Sequence, residues 1–437
     1  MVKAAKGALL STLEIDRRCG VPIYRQIEDF LRKMILGGAL PPSQKLPSTR
    51  ELALELGVSR ITIKSVYEQL ISEGYVQGKT GAGTFVSKGL DSETPVVPSF
   101  KITEKDYLEG NFSQTAEHIS LSQASARYGS IMPFRPGVPA LDKFPIKKWS
   151  KYISRATTKS DVANLSYGGL LGSKKLRVSI AHHLADSRGM KVDPKQILIT
   201  SGAQQAFVLI SYVLMNKNDS IWYENPGHIA GRDVMKIAGG HVSPVPIDKE
   251  GLNLPYAILN FPKPKLIFTT PSHQQPLGIT MSLTRRLALL KYASKNASWV
   301  IEDDYDSEFR YRGRPLPALA ALDKVGRVLY VGTFSKSLFP SVRIGYVVLP
   351  EMLMDAFAKT RNILGQTSSA ITEEALSNFM DDGAFAEHIR KMRRLYRDRR
   401  DILIKALRDY CCNILAVSYT HLRAHETLRY LVCRLLL

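Results

Sequence analysis

The chain has 437 residues, enough for two or more domains, and its 44% hydrophobic and 23% charged content is ordinary for a soluble globular protein. Its 60 Lys and Arg against 40 Asp and Glu give a formal charge of +20, which favours a polyanionic partner, most economically nucleic acid. No apolar run reaches membrane-span length and no signal-peptide pattern opens the chain, so a membrane role is not expected and a cytoplasmic protein is.

Residues 1–20 have little pattern and read as an N-terminal arm. Pro22 suits the first turn of a helix that carries Ile23, Ile27, Phe30, Leu31, Met34 and Ile35 at helical spacing and stops at Gly37-Gly38. After Pro41-Pro42, Ser48-Thr49-Arg50-Glu51 fits a capping box for a second helix that closes at Gly57. Ser59 starts a third, through Val66, Leu70 and Ile71 to Gly74. The short turn Gly57-Val58-Ser59 between the last two is that of a helix-turn-helix. Tyr75-Val76-Gln77 and Thr84-Phe85-Val86 read as strands around the glycine-rich stretch 78–83, a wing. No strand–loop–helix context supports reading those glycines as a phosphate loop.

This segment resembles the winged helix of the GntR family over residues 22–86, carried by Leu46-Pro47-Ser48-Thr49-Arg50-Glu51-Leu52 and Ser59-Arg60-Ile61-Thr62-Ile63-Lys64. The resemblance implies a double-stranded DNA operator as partner, with Arg50, Ser59, Arg60, Thr62 and Lys64 facing it and Gly81 at the wing. The first turns of the third helix do present two cations and two hydroxyls, as a groove-reading helix would. A merely solvated helix face would present them too. The first 90 residues hold 13 Lys and Arg and 8 Asp and Glu, so this domain, taken as 21–88, accounts for part of the charge only.

Residues 89–128 mix Ser, Thr, Pro, Glu and Lys with few long apolar stretches, a linker composition with room for a little helix. Its length would let one DNA-binding domain reach a neighbouring subunit. From about residue 129 short apolar runs bounded by turn signals alternate with helical segments. The runs are Ile197–Thr200, Ser220–Tyr223, Lys265–Thr269, Trp299–Ile301 and Val328–Val331, and the helices include Gln204–Met215 and Leu283–Ser294. This order predicts an α/β fold with a mostly parallel central sheet.

Chemistry gathers at the ends of these runs. Thr200-Ser201-Gly202-Ala203-Gln204-Gln205 stands between a strand and a helix, where backbone N–H groups bind an anion and glycine lets the backbone approach it; a purely structural cap would look the same. Glu302-Asp303-Asp304-Tyr305-Asp306 closes a later strand, and no histidine or second acidic cluster in the neighbouring strand ends argues for a metal. In Gly332-Thr333-Phe334-Ser335-Lys336-Ser337, a lysine sits in a tight hydroxyl-rich turn after a buried strand, and Arg343 follows. Such a lysine is poised to form an imine with an aldehyde cofactor while Thr333 and Arg343 hold a phosphate, although a surface lysine in a polar loop is the plainer alternative.

These motifs, in this order, resemble the fold-type I aminotransferases, three-layer α/β proteins that bind pyridoxal phosphate. The resemblance makes Lys336 the Schiff-base lysine, Asp303 the partner of the pyridine nitrogen (Asp304 being the other choice) and Tyr305 the donor to the 3-hydroxyl oxygen. It makes Ser201, Gly202, Ala203, Gln204, Thr333 and Arg343 phosphate ligands. His228, in Glu224-Asn225-Pro226-Gly227-His228, takes the place of a stacking aromatic that is commonly tyrosine. Gln275 stands where Asn or Phe is expected before a proline, flanking the cofactor hydroxyl. Tyr167 is similar to the tyrosine that reaches the neighbouring subunit's phosphate, which implies a head-to-tail homodimer with shared sites.

A winged helix of GntR type joined to this fold resembles the MocR branch, over about residues 22–410. The function this implies is a transcriptional regulator whose aminotransferase-like domain senses an amino acid or amine by exchange at Lys336; a working aminotransferase with a DNA-binding module is the alternative. The basic stretch Ala384–Arg408 reads as a long helix, an exposed connector more readily than a second DNA contact. The domain is taken as 129–415 with an incomplete small C-terminal part. Residues 416–437 have no family counterpart and look like a translated adapter, which implies truncation near 415.

Overall fold

The computed structural model describes residues 13, 15–17, 19–79, 81–88, 113–120, 122, 137–158, 168–309, 317–365 and 368–410. The chain divides into two compact units, Met1–Asn111 and Phe112–Leu437. Tyr167 and the stretch 416–437 lie outside the described residues.

In the first unit, α1 (Ile23–Leu36) buries Ile27, Leu31 and Ile35 along one face. The capping box of α2 (Thr49–Glu55) is formed: Ser48 Oγ accepts from Glu51 N at 3.2 Å and Glu51 Oε2 accepts from Ser48 N at 2.8 Å. Helix α3 (Arg60–Ser72) buries Ile63, Val66, Tyr67 and Leu70, and the Tyr67 hydroxyl donates to Pro47 O at 3.0 Å. Strands β1 (Val76–Lys79) and β2 (Gly83–Val86) pair antiparallel with Val76 opposite Val86, which makes the wing. The buried faces meet in one core with Leu46, Leu52, Val76 and Val86. Arg32 ties α1 to the end of α3 through Glu73 at 2.7 Å.

The second unit begins at Phe112, inside the stretch whose composition reads as linker. There α4 (Gln114–Ser120) is followed by Ser122, whose hydroxyl donates to Asp233 Oδ2 at 2.5 Å. Next come α5 (Ile146–Thr158), α6 (Lys174–Arg188), β3 (Ile197–Thr200), α7 (Ala203–Leu214), β4 (Ser220–Asn225) and α8 (Ile229–Ile237). They are followed by β5 (His241–Asp248), β6 (Gly251–Leu252), α9 (Leu254–Asn260), β7 (Leu266–Thr269), α10 (Leu283–Asn296) and β8 (Trp299–Asp304). The unit continues with α11 (Leu319–Leu322), β9 (Val328–Thr333), β10 (Gly345–Val348), α12 (Met354–Ile363), α13 (Ala370–Asp381) and α14 (Ala384–Tyr410).

The eight strands lie in the order β3-β10-β9-β8-β7-β4-β5-β6. Pairing is parallel from β5 through β4, β7 and β8 to β9, whereas β10 is antiparallel to both β3 and β9. The C-terminal ends of β3, β4, β7, β8 and β9 therefore share one edge with the N-terminal end of β10. Helices cover both faces, as a parallel sheet requires. Trp299 and Ile301 of β8 pack into the core around Phe207 and Phe268, and Val300 into the core around Trp222 and Leu289.

All five expected strands are present. Three more escaped the sequence reading. Strand β5 contains Pro244 and Pro246, which argue against a strand but are tolerated where one flank lacks a partner. Strand β6 is two residues long, and β10 is a short apolar run inside the lysine motif. Helix α14 buries Ile389, Met392 and Tyr396, and Ala140 N donates to the Tyr396 hydroxyl at 2.9 Å, while Arg390, Lys391, Arg393, Arg394 and Arg397 are exposed.

Candidate functional site

The shared strand edge assembles side chains that lie far apart in sequence. At the β3–α7 junction, Gly202 caps α7 with φ 111° and ψ 171°, a conformation open essentially to glycine alone. The first N–H groups of α7, at Ala203 and Gln204, have no intrahelical acceptor. Ser201 N donates to Gln205 Oε1 at 2.6 Å, and the Gln204 side chain turns to Ala230 O at 3.2 Å. Because Gly345 pairs with Thr200 on one side and Thr333 on the other, Arg343 is delivered beside this turn. A Cβ placed on Gly202 would lie 3.8 Å from Arg343 Nη1. Arg343 itself is left-handed, with φ 49° and ψ 42°. Thr333 ends β9 and its hydroxyl accepts from Ser335 N at 3.2 Å. In the next turn Lys336 is half-buried, and its Nζ donates to Gly137 O at 2.7 Å.

Strand β8 brings two aspartates to the edge on opposite faces. Asp303 is 3% exposed, with His228 Nδ1 3.6 Å from its Oδ2. Burial pushes its carboxyl up to about 8, the neighbouring Asp304, Glu224 and Asp306 push the same way, and Lys336 opposes them. Asp304 instead meets Arg188 Nε at 2.7 Å and accepts from the Tyr330 hydroxyl at 2.6 Å. Tyr305 is buried; its hydroxyl donates to His273 O at 2.8 Å, and the two rings lie 17° apart in plane.

His228 caps α8 and meets Phe207 edge-on at 5.9 Å. The Asn225-Pro226 and Gln275-Pro276 peptides are cis. Gln275 N donates to Thr270 Oγ1 at 3.2 Å. Behind both loops lies a buried group that sequence reasoning missed, Glu224. It accepts from Thr269 Oγ1 at 2.6 Å, Thr270 N at 3.0 Å, Thr270 Oγ1 at 2.6 Å and Gln274 Nε2 at 3.2 Å. Burial raises the Glu224 carboxyl and these donors pull it back. Its signal in the sequence was a carboxylate closing an otherwise apolar strand. Contrary to the expectation from sequence, two histidines from neighbouring strand ends do reach the acidic stretch, His228 at Asp303 and His273, whose Nδ1 is 3.0 Å from Asp306 Oδ2, but no group of three metal-ligating side chains occurs among the described residues.

The second candidate surface is on α3. Arg50 and Arg60 line a shallow concavity with Ala53, Leu54, Gly57 and Val58. Arg60 Nε reaches Thr49 Oγ1 at 3.4 Å. Ser59 and Thr62 are occupied with each other: their hydroxyls are 2.8 Å apart and Thr62 N donates to Ser59 Oγ at 3.1 Å. Lys64 is exposed, 3.6 Å from Glu68. Gly81, at the wing tip, has φ 73° and open space around it. No described helix is long and apolar enough to cross a membrane.

Known proteins match both regions. Residues 23–86 match the model of the bacterial regulatory proteins of the gntR family, and residues 130–428 that of the aminotransferases of class I and II. The chain is 36% identical, over 93% of its length and 81% of that protein, to the probable rhizopine catabolism regulatory protein MocR of Rhizobium meliloti. It is 35% identical to the pyridoxine biosynthesis transcriptional regulator PdxR of Corynebacterium glutamicum, covering 89% of this chain and 79% of that one. A kynurenine aminotransferase of Pyrococcus horikoshii, solved in complex with PMP, superposes with a TM-score of 0.61 and 30% identity over 71% of this chain and 77% of that chain.

Proposed function

The chain belongs to the MocR branch of the gntR family, in which a winged helix is joined to an aminotransferase class I and II domain, and from that premise we propose that it is a pyridoxal-phosphate-dependent transcriptional regulator. The observation that carries this reading is one chain holding both a helix that exposes Arg60 and Lys64 and a sheet edge that gathers Lys336 and Asp303. Double-stranded DNA is the partner of the first and an amino acid or amine the effector of the second.

The pocket residues fit the cofactor on physical grounds. Gly202 leaves room beside the α7 N-terminus, and Arg343, which has no carboxylate partner among the described residues, stands against that room. Together they suit a phosphate. Asp303 is a buried carboxyl crowded by acidic neighbours, a position that favours a cationic ring N–H as partner. When bound, pyridoxal phosphate supplies an aldehyde carbon that exchanges between amines and a ring that withdraws electrons.

Lys336 would hold the group through its side-chain amine, and an effector would compete with that amine for the same position. A displaced Lys336 has an acceptor within reach, since its Nζ donates to Gly137 O. The coupling we propose runs from occupancy of this site to DNA affinity. An effector shifts that affinity only as far as it binds the two conformations differently. Asp303 would hold the ring nitrogen's proton, and the Glu224 cluster fixes the loops that carry His228 and Gln275. We further propose a head-to-tail homodimer, with Tyr167 of one protomer serving the phosphate of its partner, and a cytoplasmic location.

Lys336, Asp303 and Tyr305 would equally serve an aminotransferase. The deciding experiment measures DNA affinity of the cofactor-loaded protein while amino compounds are titrated in, and product formation in the same samples. A change in DNA affinity with little turnover supports the regulator. Steady multiple turnover with DNA affinity unmoved by any amino compound would replace it with the enzyme.

A further inference from the structure

The first turns of α3 carry an isoleucine, Ile61, that is 80% exposed. Its neighbours along the helix sort cleanly. Ile63, Val66, Tyr67 and Leu70 face the core, whereas Arg60, Ile61, Lys64, Ser65 and Glu68 face water. An exposed β-branched residue adds nothing to helix propensity and leaves apolar surface in solvent, so this position gains nothing for the fold from its side chain.

The groups beside it narrow what it can meet. Ser59 and Thr62 spend their hydroxyls on each other and on the helix cap. The exposed start of α3 thus presents the Arg60 guanidinium, the Ile61 side chain, the Lys64 ammonium (3.6 Å from the exposed Glu68) and the Ser65 hydroxyl. Two cations flanking an apolar residue complement a surface that is anionic at its walls and has an apolar spot on its floor. The major groove of B-DNA is such a surface, and the one apolar group on its floor is the C5-methyl of thymine. Adjacent helix residues are only about 1.5 Å apart along the axis, less than one base step of about 3.4 Å. Although their side chains diverge by about 100° around the helix, Arg60 and Ile61 can therefore reach the same or neighbouring base pairs.

We propose that Ile61 is a specificity residue of this winged helix, reading the methyl group of a thymine within two base pairs of the guanine or phosphate contacted by Arg60. The inference rests on the DNA-binding reading above and adds the identity of one base to it.

The test selects binding sites from random duplex DNA with the full-length protein and with Ile61→Ala, circular dichroism confirming that both are folded. Each thymine of the enriched site is then replaced by deoxyuridine, which removes the methyl group alone. One such replacement should weaken wild-type binding about fourfold, the worth of one buried methyl-sized group, and leave Ile61→Ala binding unchanged. Arg60→Ala, which keeps Ile61, should retain the sensitivity to that replacement. If no replacement weakens the wild type, or if wild type and Ile61→Ala lose equally, Ile61 is not a methyl reader although the protein still reads DNA. If no sequence is enriched at all, the DNA-binding reading itself fails and this inference with it.

Discussion

Arg188 Nε lies 2.7 Å from Asp304 Oδ2 with both side chains almost fully removed from water, and this pair leaves Asp303 as the aspartate of β8 that stands by His228. Removing one partner of a buried pair strands the other as an uncompensated charge. Arg188→Met should therefore destabilise the second unit by about 3–5 kcal/mol, seen as a lower unfolding midpoint. Arg188→Met combined with Asp304→Leu should recover most of that loss. If the double variant is as unstable as the single one, the pair is not what Arg188 contributes.

Asp303 predicts a pH dependence. Its carboxyl is raised to about 8 in the folded, cofactor-free protein against the ordinary value near 3.8. The folded state thus holds a proton that the unfolded chain has lost, and this group's contribution to stability falls as pH rises from about 4 to about 8. Asp303→Asn does not titrate. Its stability relative to wild type should climb through that window and level off above it, measured by thermal unfolding without cofactor. Parallel pH profiles for the two proteins would show that Asp303 ionises normally.

Reconstitution with pyridoxal phosphate should give a visible absorption band that borohydride reduction fixes covalently to the chain. Lys336→Ala should lose both the band and the attachment. A reducible adduct persisting in that variant would move the reactive amine to another lysine.

The phosphate turn is tested by two changes with different causes. Arg343→Ala removes charged hydrogen bonds and should weaken cofactor binding by roughly 1.5–3 kcal/mol with little effect on folding. Gly202→Ala forces a side chain into a glycine-only backbone conformation, at about 1–3 kcal/mol, so it should lower stability as well as affinity. Equal affinity in wild type and Arg343→Ala, measured by fluorescence titration, would remove the arginine from the phosphate site.

On the DNA side, Arg60→Ala should cost roughly 1–3 kcal/mol and relax specificity. Lys64→Ala should weaken all sequences alike and reduce the salt dependence of binding by about one ion. Neither should alter the cofactor spectrum of the loaded protein. Two variants with wild-type DNA affinity would take α3 out of the interface.

Features that depend on near neighbours were legible in the order of residues. The caps at Ser48 and Ser59 and the five strands that end in chemistry follow from spacing within a few residues, and the structure contains them; of the apolar positions expected along α3, Val66 and Leu70 are buried while Ile71 is exposed, and Ile63 and Tyr67 complete the buried face. The motif order also sufficed to indicate an α/β domain behind a winged helix. Which aspartate of an adjacent pair stands by His228 was not legible, because strand alternation says only that the two differ. The partners that decide it, Arg188 and Tyr330, come from α6 and β9. Nor was the meeting of Arg343 with Gly202 legible. It exists because β10 inserts antiparallel between β3 and β9, and strand register is set by packing between distant segments. Glu224 likewise looked like a loop residue until β4 and β7 paired, when Thr269, Thr270 and Gln274 closed around it. A buried carboxylate is tolerable only with such donors, and only the tertiary structure brings them to it.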